Sequence, residues 1–216
     1  SRHTYFTLGQ LSFLSLIVVL STVFLPSSIL HGQNARVWAT YYGGAGSENE
    51  NAVALDISGN IYTTGETSRS ANSSSGGFQK AFGGSDNEYL VKLDASGNRL
   101  WATYYGGTGG EFGCGVTTDG SGNVYICGLT NSTANIASGG FQNTFGGGST
   151  DAYLVKFDAS GNRLWATYYG GSGADVGWSV STDASGNVYM SGNSSSTLGI
   201  ASGGFQNTSG GASDAF

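Results

Sequence analysis

A heptapeptide, Trp-Ala-Thr-Tyr-Tyr-Gly-Gly, stands at 38–44 and returns unchanged at 101–107 and 165–171, at intervals of 63 and then 64 residues. Identical segments at a near-constant interval mean that one supersecondary unit is used repeatedly, each copy burying its apolar surface against the next. The 216 residues therefore count units rather than separate domains. Glycine supplies 38 residues and proline one, a ratio that excludes collagen and proline-rich linkers and, with the glycines at fixed places in each copy, reads as turns. Leu, Ile, Val and Phe are sparse enough to raise the question of disorder. The 12 Tyr and four Trp answer it, because an aromatic side chain buries roughly 150–250 Å² and a cluster of them replaces many aliphatic residues in a β core.

Residues 1–33 have a different character. Arg2 is the one certain charge, an apolar run extends from Leu11 to Leu25, and Pro26-Ser27-Ser28 breaks it. This is the layout of a secretory signal peptide, with the cut expected between Gly32 and Gln33; a retained anchor is the alternative. The remainder is then expected outside the cell, secreted or at the cell surface. A net charge of −6 without a basic cluster argues against nucleic acid as a partner and against any membrane contact beyond the leader.

From Arg36 onward each unit reads as four short strands, with the second unit the clearest: Arg99 to Tyr105, Gly115 to Thr118, Val124 to Gly128 and Tyr153 to Phe157. The motif Asp-x-Ser-Gly-Asn begins at Asp56, Asp94, Asp119, Asp158 and Asp183. Its Asp accepts a backbone N–H two residues on and its Gly takes a left-handed conformation, so each copy is expected to close a tight hairpin. A longer Ser/Gly/Asn-rich loop carries Gly-Gly-Phe-Gln at 76–79, 139–142 and 203–206, and its Phe is expected to pin the loop to the sheet edge. In the third strand Ile61 and Thr63 become Val124 and Ile126, then Val188 and Met190, while Tyr62, Tyr125 and Tyr189 take the opposite face. Sheets apolar on both faces stack, which predicts an all-β fold, a β-propeller of about three four-stranded antiparallel blades. The repeats are expected at 36–98, 99–162 and 163–216. The third lacks its last strand, so the arc is expected to be completed by the remaining blades of a larger chain or by other copies.

Four submotifs recur in order: Trp-Ala-Thr-Tyr-Tyr-Gly-Gly, Asp-x-Ser-Gly-Asn-x-Tyr-x-x-Gly, Gly-Gly-Phe-Gln and Asp-Ala-Tyr-Leu-Val-Lys-Phe-Asp. In this combination the chain from about Arg36 to Phe216 resembles the SBBP type of bacterial β-propeller repeat. The resemblance implies a propeller of exported or surface proteins with no common catalytic activity, and it carries over no catalytic residues.

The residues themselves offer little chemistry. The two histidines, His3 and His31, fall in the leader, which leaves the rest without Ser-His-Asp or Cys-His machinery. Acids read as unrepeated, Glu48, Glu50, Glu66, Glu111 and Asp175, are expected as solvated loop charge, with Glu111 and Asp175 the candidates for ligand contact. Asp56, Asp119 and Asp183 have oxygens suited to a hard cation, but one carboxylate per loop favours the turn role. Lys92 and Lys156 recur inside the fourth strand and are expected to lie along the sheet. Cys114 and Cys127 flank one hairpin; they form either a disulfide or two buried thiols, depending on register. Trp178 stands where Asn51 and Cys114 stand in the other units. It is expected in the core, with a carbohydrate-stacking platform as the alternative. The reading is a non-catalytic scaffold that binds a surface glycan or a protein through variable loops such as 108–113 or 131–135, without a cofactor. A propeller enzyme acting on polysaccharide and a purely structural spacer are its rivals.

Overall fold

The computed structural model describes residues 38–44, 46–68 and 74–216; the expected leader, 1–33, lies outside them. Among the described residues eleven strands follow in chain order: β1 (Glu48–Leu55), β2 (Ile61–Thr67), β3 (Asn87–Leu93), β4 (Arg99–Tyr105), β5 (Glu111–Thr118), β6 (Val124–Thr130), β7 (Asp151–Phe157), β8 (Arg163–Tyr169), β9 (Asp175–Thr182), β10 (Val188–Ser194) and β11 (Asp214–Ala215). They form three antiparallel sheets with the orders β1-β2-β3-β4, β5-β6-β7-β8 and β9-β10-β11. The all-β propeller architecture expected from the repeats is the architecture found.

The phase of the sheets is different from that of the sequence repeat. Trp101 to Tyr105 belongs to β4, which pairs with β3 (Lys92 opposite Trp101, Tyr89 opposite Tyr104). The heptapeptide strand thus closes the sheet before it instead of opening the one after it, and the 98/99 and 162/163 boundaries fall within single sheets, where the turns enter β4 and β8. The five-residue turn from Asp94 to Asn98, closed by Asp94 N–H on Asn98 O at 2.9 Å, folds β4 back onto β3.

Each Asp-x-Ser-Gly-Asn turn is closed by its own carboxylate. In the second unit Asp119 Oδ1 accepts the N–H groups of Ser121 and Asn123, both at 2.9 Å, while Oδ2 accepts Asn123 Nδ2 at 2.7 Å and Tyr125 OH at 3.0 Å. The glycine takes φ of +80°, which an L side chain adopts only with strain. Lys156 adds its charge 3.8 Å from Asp119 and stands over the Tyr125 ring; Lys92 repeats this with Asp56 and Tyr62. Both lysines sit in the third strand of their sheets, away from the edge.

The Ser/Gly-rich loops reach the outer edge through backbone, and of the Gly-Gly-Phe-Gln phenylalanines Phe78 also packs on sheet residues, edge-on to Phe157 and beneath Arg163. Ser75 exchanges two 2.8 Å hydrogen bonds with Ala102, and Tyr104 N–H donates to Gln79 O at 3.0 Å. Ser138 and Gln142 repeat these bonds on β8. Phe141 and Phe205 are left exposed, so in those loops the expected Phe pin is absent, and in the first two loops a main-chain clamp covers an otherwise open strand edge.

Sheets stack face to face. Tyr62, Leu90, Trp101 and Tyr105 of the first sheet meet Val116, Ile126, Val155 and Phe157 of the second in one buried cluster. Within it Trp101 Nε1 donates to Ala159 O at 3.0 Å, in the β7–β8 turn. A Cβ on Gly161 of that turn would lie 3.0 Å from the indole. Trp38 makes the same contact one unit earlier, donating to Ala95 O at 3.0 Å over Gly97. Replacing Trp101 with Ala should lower stability by about 3–5 kcal/mol, and Trp101→Phe, which keeps a ring but loses the N–H, by much less. Chemical denaturation of the two variants tests the order; equal losses would show that the N–H bond to Ala159 O, and not the buried ring, carries the contact.

Candidate functional site

The strands β1, β5 and β9 lie at one edge of their sheets and contact one another in sequence, β1 with β5 and β5 with β9. Each opens on an acid: Glu48, Glu111 and Asp175. The three occupy one position, opposite Thr67, Thr130 and Ser194, so Glu111 and Asp175 are repeated residues after all. They are also not solvated loop charge. Both are fully buried. Glu111 accepts the N–H of Gly107 at 3.0 Å and the hydroxyls of Thr130 and Ser132. Asp175 accepts the N–H of Gly171 at 2.8 Å and the hydroxyls of Ser194 and Ser196. A carboxylate saturated in this way ties the Gly-Gly loop to the sheet and offers little to a ligand.

Three residues further along, each inner strand carries a β-bulge. The register passes from Glu50 opposite Gly65 to Ala52 opposite Thr64, leaving Asn51 without a cross-strand partner; Cys114 and Trp178 are skipped in the same way. A bulge re-aims the side chain of its extra residue. Here it turns Asn51, Cys114 and Trp178 toward a common hollow of about 680 Å³, whose other walls are Glu48, Asn49, Glu50, Glu66, Phe112 and Leu129. Trp178 is 55% exposed, a correction to the expectation that it fills the core. Its Nε1 donates to Asn193 Oδ1, which fixes the ring and leaves the indole faces free. Asn51 Nδ2 donates to Gly113 O at 2.8 Å, bridging the first two sheets.

The bulge also settles the cysteines. Gly115, not Cys114, stands opposite Cys127, and both thiols are free. Cys127 is buried against Gly115 and Cys114 is half-buried at the hollow. Burial pushes both thiols up, Cys114 to about 12, so neither is an activated nucleophile. Asp56, Asp119 and Asp183 sit in three separate turns with their oxygens occupied by the turn. Among the described residues no three His, Cys, Asp or Glu side chains gather as a metal-binding group.

One acid escapes the sequence reading. Glu88 stands where Ala152 and Ala215 stand in the other units, and this substitution within a repeated motif was the available signal. It is wholly buried between the first two sheets. Tyr153 OH of the second sheet donates to Oε2 at 2.5 Å, and Gly113 leaves the space in which the carboxyl sits. Thr64 Oγ1 lies 2.6 Å from Glu88 Oε1 and 2.7 Å from Tyr89 O. One hydroxyl proton serves only one of these contacts; a protonated Glu88 donating to Thr64 satisfies both. Burial, the largest influence, accordingly raises the Glu88 pKa to about 8.

Stacked antiparallel sheets of four, four and three strands among the described residues, the middle one packed on both its neighbours, with their hairpins repeated, define the chain as a β-propeller protein. The SBBP beta-propeller repeat model matches at residues 37–69, 100–136 and 164–199. The chain is an SBBP beta-propeller repeat protein, in agreement with the resemblance carried by its four submotifs. No curated protein matches it.

The Glu88 pKa lies above the unfolded value of 4.5, so folding favours the protonated acid. Its contribution is complete below about pH 4.5, declines as pH rises and is lost by about pH 8. Thermal unfolding of wild type and Glu88→Gln between about pH 5 and about pH 9 should show a shallower decline in the variant. Parallel curves would place an ionised Glu88 in the folded protein.

Proposed function

We propose that the chain is a non-catalytic binding scaffold, exported to the cell surface or secreted, that takes its ligand at the inner-strand hollow. One observation carries the reading. The repeated residues are consumed in turns, clamps and stacking, whereas the bulge position presents Asn51, Cys114 and Trp178, three different side chains, to one open hollow. An unpaired residue at a bulge changes without cost to the strand ladder, so this is where a repeat array diversifies. The ligand belongs to the class expected from the sequence, a glycan or protein at the surface. Trp178→Ala, at an exposed ring, should leave the unfolding midpoint nearly unchanged and reduce binding on a glycan and peptide array. Turnover of a polysaccharide by the wild type, abolished by Glu50→Gln or Glu66→Gln, would replace this reading with the enzymatic one.

The second partner is the strand pair that completes the third blade. Among the described residues β10 is paired by β11 only at Asn193 and Ser194, with Phe216 bonded to Gly192. Beside its Val188–Ser191 edge lies an apolar hollow of about 640 Å³ lined by Leu154, Trp165, Val188, Met190 and Phe216. In the second sheet the corresponding stretch of β6 is covered by Leu154 to Phe157. A peptide copying residues 153–169, which holds the next strand pair, should bind and raise the unfolding midpoint. A permuted copy that breaks the alternation should not, and equal effects from both would sink the proposal.

A further inference from the structure

We propose that the inner-strand hollow recognises a cationic side chain, the guanidinium or ammonium of a basic peptide, a proposal that rests on reading the hollow as the ligand site. Its walls are asymmetric because equivalent positions differ between blades. On the first blade these positions are Asn49, Glu50 and Glu66; on the second they are Phe112, Gly113 and Leu129. The third blade adds the Trp178 ring. One wall is therefore acidic and amide-bearing, and the facing side is aromatic and apolar.

None of the lining residues is basic. The ion pairs of Lys92 and Lys156 are made with Asp56 and Asp119, in the turns. Glu50 and Glu66 have neutral partners, Thr63 Oγ1 and Asn49 Nδ2, which donate one hydrogen bond to each and bring no charge to offset the carboxylates. A neutral sugar stacks on an indole but does nothing for that charge. A guanidinium or ammonium satisfies both sides: its N–H groups donate to the carboxylates, and its charge is attracted to the face of Trp178. Because Nε1 is already committed to Asn193, the ring is held with its π face as the surface on offer. The volume of about 680 Å³ accommodates one long basic side chain with its flanking backbone, in the range of small-ligand sites.

The test is calorimetric titration of the full chain with the peptide Gly-Gly-Arg-Gly-Gly, its citrulline counterpart, spermidine and a neutral oligosaccharide, at low and high salt. The arginine peptide should bind and the citrulline peptide should not, with affinity falling as salt rises. Glu50→Gln combined with Glu66→Gln should weaken binding by roughly tenfold, and Trp178→Ala by roughly fivefold. Spermidine binding as tightly as the peptide would make the occupant a free polyamine and overturn the peptide assignment. Binding of the oligosaccharide alone, lost in Trp178→Ala, would keep the hollow as a ligand site and overturn its preference for cations. Absence of binding by all four probes would overturn both.

Discussion

An indole seated on the glycine turn of the next sheet couples consecutive blades. Faces of stacked sheets exclude water without fixing how far one sheet slides over another, whereas Trp101 Nε1 on Ala159 O fixes one point of contact. The seat exists because Gly161 has no side chain and φ of +83°; any Cβ there would press into the ring. Trp38 over Gly97 is the same device one unit earlier. The turn that reverses the chain is thus also the surface that receives the neighbour, and its glycine serves both ends.

The five Asp-x-Ser-Gly-Asn turns share one sequence pattern and divide into two roles. Those after the inner strands, at Asp56, Asp119 and Asp183, accept a tyrosine hydroxyl from their own sheet, and the first two also a lysine charge. Those between the third and fourth strands, at Asp94 and Asp158, offer the carbonyl of their second residue to a tryptophan from the preceding unit. Burial pushes the Asp119 carboxyl up, but the Asn123 donors outweigh it and hold the group below its ordinary range. The local pattern makes the turn; the neighbours around it decide what the turn does.

That division marks what was legible in the sequence. Strands, hairpins and stacking follow from short-range signals such as glycine and Asp spacing and the alternation of Tyr62 with Ile61 and Thr63. The phase of the blade does not, since a hairpin turn joins two strands without saying which sheet owns the second. Glu111 and Asp175 were misread because the aligned acid changes type and its neighbours change with it, and because their burial depends on hydroxyls about 20 residues away in the chain. Glu88 was visible as a replacement of Ala, yet its environment is made by Gly113 and Tyr153 of another sheet. The bulge at Asn51, Cys114 and Trp178 is a register event, and no residue type announces it.

The bulge explains why a chain so strictly repeated still has room for a specific site. Ladder positions are constrained twice, by the pairing of their own strand and by the facing sheet; replacement there disturbs two blades. Clamp positions such as Glu111 and Asp175 are constrained by the donors they saturate. The bulged residue escapes the ladder, being skipped by the register, even where it reaches a neighbour as Asn51 does at Gly113 O. Three copies of one unit placed side by side therefore bring three side chains free of cross-strand pairing to a common edge. Their differences, with the acidic residues on one blade and aromatic rings on the next two, give the hollow a direction that threefold identity would have cancelled.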